Sequence, residues 1–470
     1  MTAATFPRAA AGEPARFLLG GSEIPRRWYN IAADLPSRPE RPLNPVTHEP
    51  LGYADMAGLF PRELTLQDVS VDRYIDIPDE VVGAYRLWRP SPLHRARNLE
   101  RALGTPARIY YKYEGGSPTG SHKLNTAAAQ VYYNARRGVG RLTTETGAGQ
   151  WGCALAFACR QFGLDCEIFW AGASFDQKPY RKVMMDAYGA RVHRSPSSRT
   201  SAGRRVRARD PESAGSIGLA VSEAVEAAAA DERAAYALGS TANHVLLHQT
   251  VIGEEALRQF ELAGDFPDVV VGCVGGGSGL SGLAFPLLRE KLAGRRPDLR
   301  VLAVEPAACP ALTRGRYAWD HGDRDGLTPL MKMYTLGHTF APDPIHAGGL
   351  RYHGMAPLLS HAHHLGLVEA VAKPQTECFE AGVRFAQAEG ILVAPEAAHA
   401  VAGGIDEALR CARTGAEQAI LILVSGHAHF DLGAYQLYLS GAMTDLELPE
   451  DRLRASLDQL PVVGPEGGPS

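Results

Sequence analysis

Val269–Leu280 reads "VVVGCVGGGSGL". A run of β-branched residues stops at a string of glycines, and an apolar helical pattern, "SGLAFPLLREKLAG" (281–294), follows at once. A short apolar strand running through a glycine turn into a helix is the unit from which parallel sheets buried on both faces are built. Downstream the alternation continues. "LRVLAVEP" (299–306) reads as a strand, "ECFEAGVRFAQAEG" (377–390) and "HAVAGGIDEALRCAR" (399–413) as helices, and "AILILVSGH" (419–427) as a buried strand.

A second series lies upstream. "ARIYYKYE" (107–114) reads as a strand and residues 123–137 as a helix. "RLTTET" (141–146) is a strand, "GAGQWG" (147–152) a glycine turn and "CALAFACRQFG" (153–163) a helix. "CEIFWAG" (166–172), "KPYRKVMMDAYGA" (178–190) and "RVHRSP" (191–196) repeat strand, helix, strand. Two such series predict an α/β protein with two open, twisted, mostly parallel sheet domains and a cleft between them. Residues 1–100 read as an N-terminal arm with short helices packed on the body. Residues 101–240 are expected to form the first α/β domain, 241–445 the second, and 446–470 a flexible tail.

Composition narrows the class. Hydrophobic residues make up 45% and charged residues 21% of 470, and the formal net charge is −4. That balance offers no whole-chain field for nucleic acid or a membrane surface. The seven cysteines are scattered without a C-x-x-C pair, which fits a reducing cytoplasm better than a disulfide framework. No signal-peptide core or apolar run of spanning length is seen. The arginine-rich "RTSAGRRVRARD" (199–210) lacks interleaved aromatics and reads as a solvated face.

Three local features carry chemistry. "GGGSG" (275–279) follows a strand and opens a helix, where backbone N–H groups can meet a phosphate and Ser278 adds a hydroxyl. No Lys-Ser/Thr pair follows, so it is not a P-loop; taken alone, a tight strand–helix turn accounts for it equally. "ETGAGQWG" (145–152) puts a carboxylate at a strand end before a loop suited to a substrate carboxylate. The competing reading makes Thr146 a helix cap. "TGSHKLNT" (119–126) holds a single lysine, Lys123, after a histidine; a desolvated lysine forms Schiff bases with carbonyl compounds. Most lysines are merely solvated, but lysine, phosphate loop and carboxylate loop together are what pyridoxal phosphate needs to bind and process an amino acid. Ser425 stands at a strand's carboxyl end, where ligands of open α/β sheets gather. The histidine pairs at 427/429 and around 361–364 read as structural, and no metal site is expected.

The chain resembles the tryptophan synthase β-subunit family, in its longer type 2 form, over roughly residues 80–440. The likeness rests on "KYEGGSPTGSHKLNT", "ETGAGQWG", "CVGGGSG", "GLRYHGMAP", "EGILVAPEAAHA" and "SGHAHFD". It implies a fold type II pyridoxal-phosphate enzyme with the cofactor between two domains. It further implies that Lys123 carries the cofactor as a Schiff base, beside His122. Gly275, Gly276, Gly277 and Ser278 would hold the phosphate. Glu396 would line the cofactor ring and Ser425 would face its pyridine nitrogen. Thr146, Gly147, Ala148, Gly149 and Gln150 would bind the substrate carboxylate, and Glu145 would be the acid–base residue. The implied reaction replaces the hydroxyl of L-serine by indole through an aminoacrylate, giving L-tryptophan and water. The resemblance is compatible with a monovalent cation and a homodimer, and type 2 chains are expected to lack much of the surface that docks an α subunit.

Two residues depart from the family pattern. Gly279 stands where asparagine is usual, and Ala428, where glycine is usual, is expected to bring a methyl close to the cofactor ring. These leave open another nucleophile such as a substituted indole, or a serine/threonine deaminase. A catalytically silent protein of the same fold is the third alternative, which the joint presence of Lys123, Glu145 and Ser425 opposes.

Overall fold

The computed structural model describes residues 14–52, 55 and 60–464. The start of the expected arm and the end of the expected tail lie outside these. Among the described residues the two largest sheets have seven and four strands. Numbered along the chain, their strands are β1 (Arg16–Phe17), β2 (Leu93–Arg95), β3 (Arg108–Tyr113), β4 (Arg141–Thr146), β5 (Asp165–Ala171), β6 (Arg191–Ser195), β7 (Ala234–Tyr236), β8 (Val269–Cys273), β9 (Arg300–Pro306), β10 (Glu369–Lys373) and β11 (Ala419–Val424). The larger sheet runs β1-β2-β3-β11-β8-β9-β10 and the smaller β6-β5-β4-β7. Every pairing in the smaller sheet is parallel. In the larger, only the β1–β2 and β2–β3 pairings are antiparallel.

β11 shows why the central strands read as unbroken apolar runs. All six residues of "AILILV" are buried, because helices cover both faces of the sheet. Each Ile, Leu and Val in it contributes roughly 1.5–3 kcal/mol by leaving water. The helices that matter for the site are α1 (Leu124–Arg136), α2 (Gln150–Phe162), α3 (Pro179–Ala187), α4 (Ser278–Leu292) and α5 (Pro395–Thr414). Helices α2, α4 and α5 each start about one turn earlier than the apolar periodicity indicates. Each opens on glycine, proline or polar residues (Gln150 and Gly152, Ser278 and Gly279, Pro395 and Glu396), which mask the helical periodicity but still belong to the helix.

Two sequence expectations are corrected. The strand at 108–113 was grouped with the first series, yet it pairs with β11 in register from Arg108 opposite Ala419 to Tyr113 opposite Val424. Parallel pairing joins segments remote in sequence, so order along the chain does not decide sheet membership. The tail is not free over its described part. Glu450–Leu457 is a helix, and Leu448 and Leu453 are buried against Cys309, Leu336 and Phe340. The arm likewise contributes core: Trp28, Tyr29, Ile31 and Tyr85 pack in one cluster with Phe285 and Leu288.

Candidate active site

The site begins where β11 ends. The loop before α1 is stitched to that strand end: the His122 N–H donates to the Ser425 carbonyl (3.0 Å), and the His427 N–H donates to the Gly120 carbonyl (3.1 Å). Lys123 immediately precedes α1. Its Nζ donates to the Gly239 carbonyl at 2.6 Å and lies 3.4 Å from Ser278 Oγ. Burial pulls the amine down to about 8, although Glu145, Cys273 and Glu396 act in the other direction. About a tenth of the amine is then free at neutral pH, far more than an ordinary lysine offers to an aldehyde. The His122 ring is buried, and desolvation followed by the Lys123 charge lowers its pKa to about 3. It is therefore neutral. Nδ1 lies 3.3 Å from the Ser425 carbonyl and so carries the proton, which leaves Nε2 buried with no protein partner.

The glycine cradle lies between β8 and α4. Gly275, Gly276 and Gly277 lead into Ser278, the first residue of the helix, so their N–H groups gather at a helix N-terminus. Gly277 has φ +93°, and a Cβ there would lie 2.3 Å from Leu359 Cδ2. A cavity of about 400 Å³ runs along this cradle, with His122, Lys123, Glu396 and Ser425 also in its wall. Ser425 Oγ sits 3.7 Å from Cys273 Sγ.

The second loop lies between β4 and α2. A contiguous cavity of about 450 Å³ is lined by Lys123, Glu145, Thr146, Gly147, Ala148 and Gln150. Gly149 belongs to the same turn and precedes the first helical residue. Thr146 also serves the helix, its Oγ1 accepting the Gly152 N–H at 3.1 Å, although Gly149 rather than Thr146 is the residue at the N-cap. Gln150 Nε2 donates to Glu396 Oε2 (3.0 Å), and the Gly349 N–H donates to Glu396 Oε1 (2.9 Å). That pair of bonds fixes the Glu396 carboxylate between the two loops.

Glu145 is buried at the end of β4. Desolvation raises its pKa, opposed by hydrogen bonds from the Tyr236 hydroxyl and the Gly239 N–H and by the Lys123 charge. The Gly239 carbonyl takes Lys123, and the Gly239 N–H works to lower the Glu145 pKa. A side chain at 239 would collide with Trp151 at 2.5 Å. Beyond Glu145 opens a largely apolar cavity walled by Ile217, Val221, Leu238 and Tyr352.

All the sequence-selected residues therefore meet in one cleft. Reasoning from sequence missed Tyr236, Gly239, Tyr352 and Arg351, which is buried with Nη2 donating to Ser174 Oγ at 2.6 Å. The phrase "GLRYHG" singled out that last segment as a motif but not the arginine. Of the two departures, Gly279 does face the site, where a Cβ would stand 3.2 Å from His122 Nε2. Ala428 does not: it packs with Phe379, Ala434 and Tyr435 in a separate apolar cluster, because the chain turns away from the cleft after Gly426. Its expected proximity to the cofactor ring is corrected accordingly. His427 and His429 stack on each other at 4.1 Å.

Residues 85–426 match the family model described as pyridoxal-phosphate dependent enzyme. The chain is 57% identical to tryptophan synthase beta chain 2 of Aquifex aeolicus, covering 92% of this chain and 100% of that one. It is 52% identical to tryptophan synthase beta chain 2 of Methanosarcina acetivorans (92% and 97%) and 54% identical to that of Thermotoga maritima (88% and 97%). A fungal L-serine ammonia-lyase structure from Rhizomucor miehei superposes with a TM-score of 0.56 at 19% identity, covering 76% of this chain and 99% of that one, which is a likeness of fold. With a lysine, a glycine cradle and a carboxylate loop in one cleft and this identity over nearly the whole length, the chain belongs to the pyridoxal-phosphate dependent enzymes and, within them, to the tryptophan synthase β-chain family.

Proposed function

We propose that this protein joins L-serine and indole by pyridoxal-phosphate-dependent β-replacement, giving L-tryptophan and water. The observation that carries this is that Lys123 and Glu145 line one cavity, and that Glu145 also lines the apolar cavity beyond it. The residues fit the cofactor. Four successive positions, Gly275 to Ser278, form an anion seat at a helix N-terminus, and the unpartnered His122 Nε2 lies in the same wall. When bound, pyridoxal phosphate supplies an electrophilic carbonyl and an electron-withdrawing ring that absorbs charge developing at the substrate Cα.

The chain's own residues supply the rest. Lys123, once its nitrogen is released, moves the proton at the serine Cα. The N–H groups and hydroxyl of Thr146–Gln150 hold the serine carboxylate. Glu396, pinned by Gln150 and Gly349, would form one wall of the cofactor's seat, and Ser425 would offer its ring a hydroxyl rather than a carboxylate. Glu145 takes the proton that leaves indole C3 as the new bond forms. Ile217, Val221 and Leu238 provide an apolar seat for the indole ring and exclude water that would compete with it.

The test follows the absorption spectrum of the protein with pyridoxal phosphate, then with L-serine, then with indole, with product analysis. Tryptophan formation, and a Glu145→Gln variant that keeps the cofactor band but loses 10²–10⁴-fold in indole addition, are expected. Pyruvate and ammonia as the only products would refute the reading and leave a deaminase. From the family resemblance we further propose a cytoplasmic homodimer that works without an α subunit, with a monovalent cation as activator. Sedimentation, and assays in potassium, sodium and bulky-cation buffers, test these points. No helix among the described residues is long and apolar enough to cross a membrane.

A further inference from the structure

Tyr236 has no part in the reaction as described, yet its hydroxyl donates to Glu145 Oε2 at 2.6 Å. We propose that Tyr236 is the positioning residue of Glu145: it holds the carboxylate ionised and aimed at the apolar cavity, so that the residue acts as a base toward indole. The inference rests on the function proposed above and concerns a residue outside its machinery.

The geometry sets the bond apart from an incidental one. Tyr236 ends β7, which is parallel to β4, the strand that ends in Glu145 and Thr146. The phenol ring is buried among Phe169, Ala220 and Ala224 and meets Phe60 at 6.1 Å, so it has little freedom to turn away. Two residues on, Leu238 lines the apolar cavity, and the Gly239 carbonyl accepts from Lys123 Nζ. The segment 236–239 therefore ties the base, the lysine and the cavity wall into one rigid piece. Oε2 is engaged by Tyr236, and Thr144 Oγ1 approaches it only at 3.5 Å. Tyr236 itself stays a neutral donor, because burial and then the Glu145 charge raise its pKa.

A hydroxyl that donates to a carboxylate favours the ionised form, whereas burial favours the neutral form. The titratable groups facing Glu145 are Lys123 at the start of α1, Tyr236 at the end of β7 and Tyr352 across the cavity, and Glu40, Asp68 and Lys332 line the cavity farther out. Without the Tyr236 hydroxyl, the Glu145 backbone N–H, Lys123 and the Gly239 N–H are left to oppose burial. The carboxyl then keeps its proton to higher pH, on the scale of one lost charge-assisted hydrogen bond.

The experiment uses the holoenzyme and its Tyr236→Phe variant, which removes one atom and keeps the ring packing. Tryptophan formation from serine and indole is measured across pH. The acidic limb of kcat/KM for indole is expected to move to higher pH, with activity recovering above it and the serine-induced spectral change retained. Site-specific 3,5-difluorotyrosine at position 236, a stronger donor, is expected to move the limb down. A readout independent of turnover is the infrared carboxyl band that disappears in Glu145→Gln, whose titration midpoint should move in the same two directions. An unmoved limb and an unmoved carboxyl band, or an equal loss of rate at every pH, overturns the positioning role while tryptophan synthesis by the wild type stands. A wild type that makes no tryptophan overturns the function and this inference together, and the two failures are thereby distinguished.

Discussion

Gly277→Ala separates two effects at the phosphate cradle. The position has φ +93°, which costs a residue with a Cβ about 1–2 kcal/mol. The added methyl would also lie 2.3 Å from Leu359 Cδ2 and 3.0 Å from Met355 Sδ, and both of those side chains are buried. Overpacking of that kind costs about 1–3 kcal/mol, so the total is about 2–5 kcal/mol. Gly264→Ala is the internal control. Its φ is +64°, it caps a helix, and nothing lies within 4 Å of a Cβ built there. It should show the backbone cost alone. The strain at 277 falls on the loop whose neighbour, the Gly276 carbonyl, accepts the Ala356 N–H at 3.0 Å, so the loop has to shift to relieve it. Displacing one N–H from the phosphate forfeits a charge-assisted bond worth about 1.5–3 kcal/mol, a loss of roughly 10- to 150-fold in cofactor affinity. Thermal melting of the apo proteins should rank wild type above Gly264→Ala above Gly277→Ala. Titration with pyridoxal phosphate, followed by absorbance, should show weakened binding for Gly277→Ala only. A Gly277→Ala protein that melts with the control and binds cofactor like wild type refutes the crowding argument and the phosphate seat together.

Further outcomes follow from the same geometry. The rate at which apo-protein captures pyridoxal phosphate, read by stopped-flow absorbance, should climb with pH and level off near 8 rather than near 10.5, because the neutral Lys123 amine is the nucleophile; at pH 7 the lowered value leaves about 300-fold more free amine than an ordinary lysine has, and Lys123→Ala should form no such band. Asp431→Asn should destabilise the fold by about 3–5 kcal/mol in urea titrations, since Lys178 (2.6 Å) and Arg181 (2.9 Å) are buried and lose their shared counter-charge. Burial pushes the Glu114 carboxyl up, but Arg89, Lys112 and the Arg89 and Ser91 hydrogen bonds outweigh it and hold the pKa at about 2, against 4.5 ordinarily. A depressed carboxyl stabilises the fold above its unfolded value and loses that contribution as pH falls toward the folded one. The stability gap between wild type and Glu114→Gln should therefore stay constant down to about pH 4.5 and narrow steadily below it.

Local features were readable where the chemistry itself is local. A phosphate seat needs consecutive backbone N–H groups at a helix start, so Gly275–Ser278 declares itself in four adjacent letters. The loop at 145–150 does so for the same reason, and Lys123 stands out because it is the one cation in a polar stretch beside a histidine. Partners brought in from elsewhere left no such mark. Tyr236 lies 91 positions from Glu145 and ends a strand only three residues long, "AAY", which carries no alternation to flag it. Gly239 looks like any loop glycine until Trp151 is seen packed where its side chain would be.

Apolar strands broken by glycine turns and followed by helices were enough to determine a parallel α/β architecture, because backbone groups in a buried strand can be satisfied only by neighbouring strands. The lysine, the two loops and the serine at a strand end were likewise determined by residue type and spacing. Tertiary structure alone decided that the strand at 108–113 joins the second series, that Ala428 points away from the cleft, and that Gly239 receives Lys123 while Tyr236 holds Glu145. Hydrogen bonds of a strand or a helix start repeat over a few residues and leave a pattern in the chain. Contacts across a cleft join residues a hundred positions apart and depend on where the two sheets come to rest.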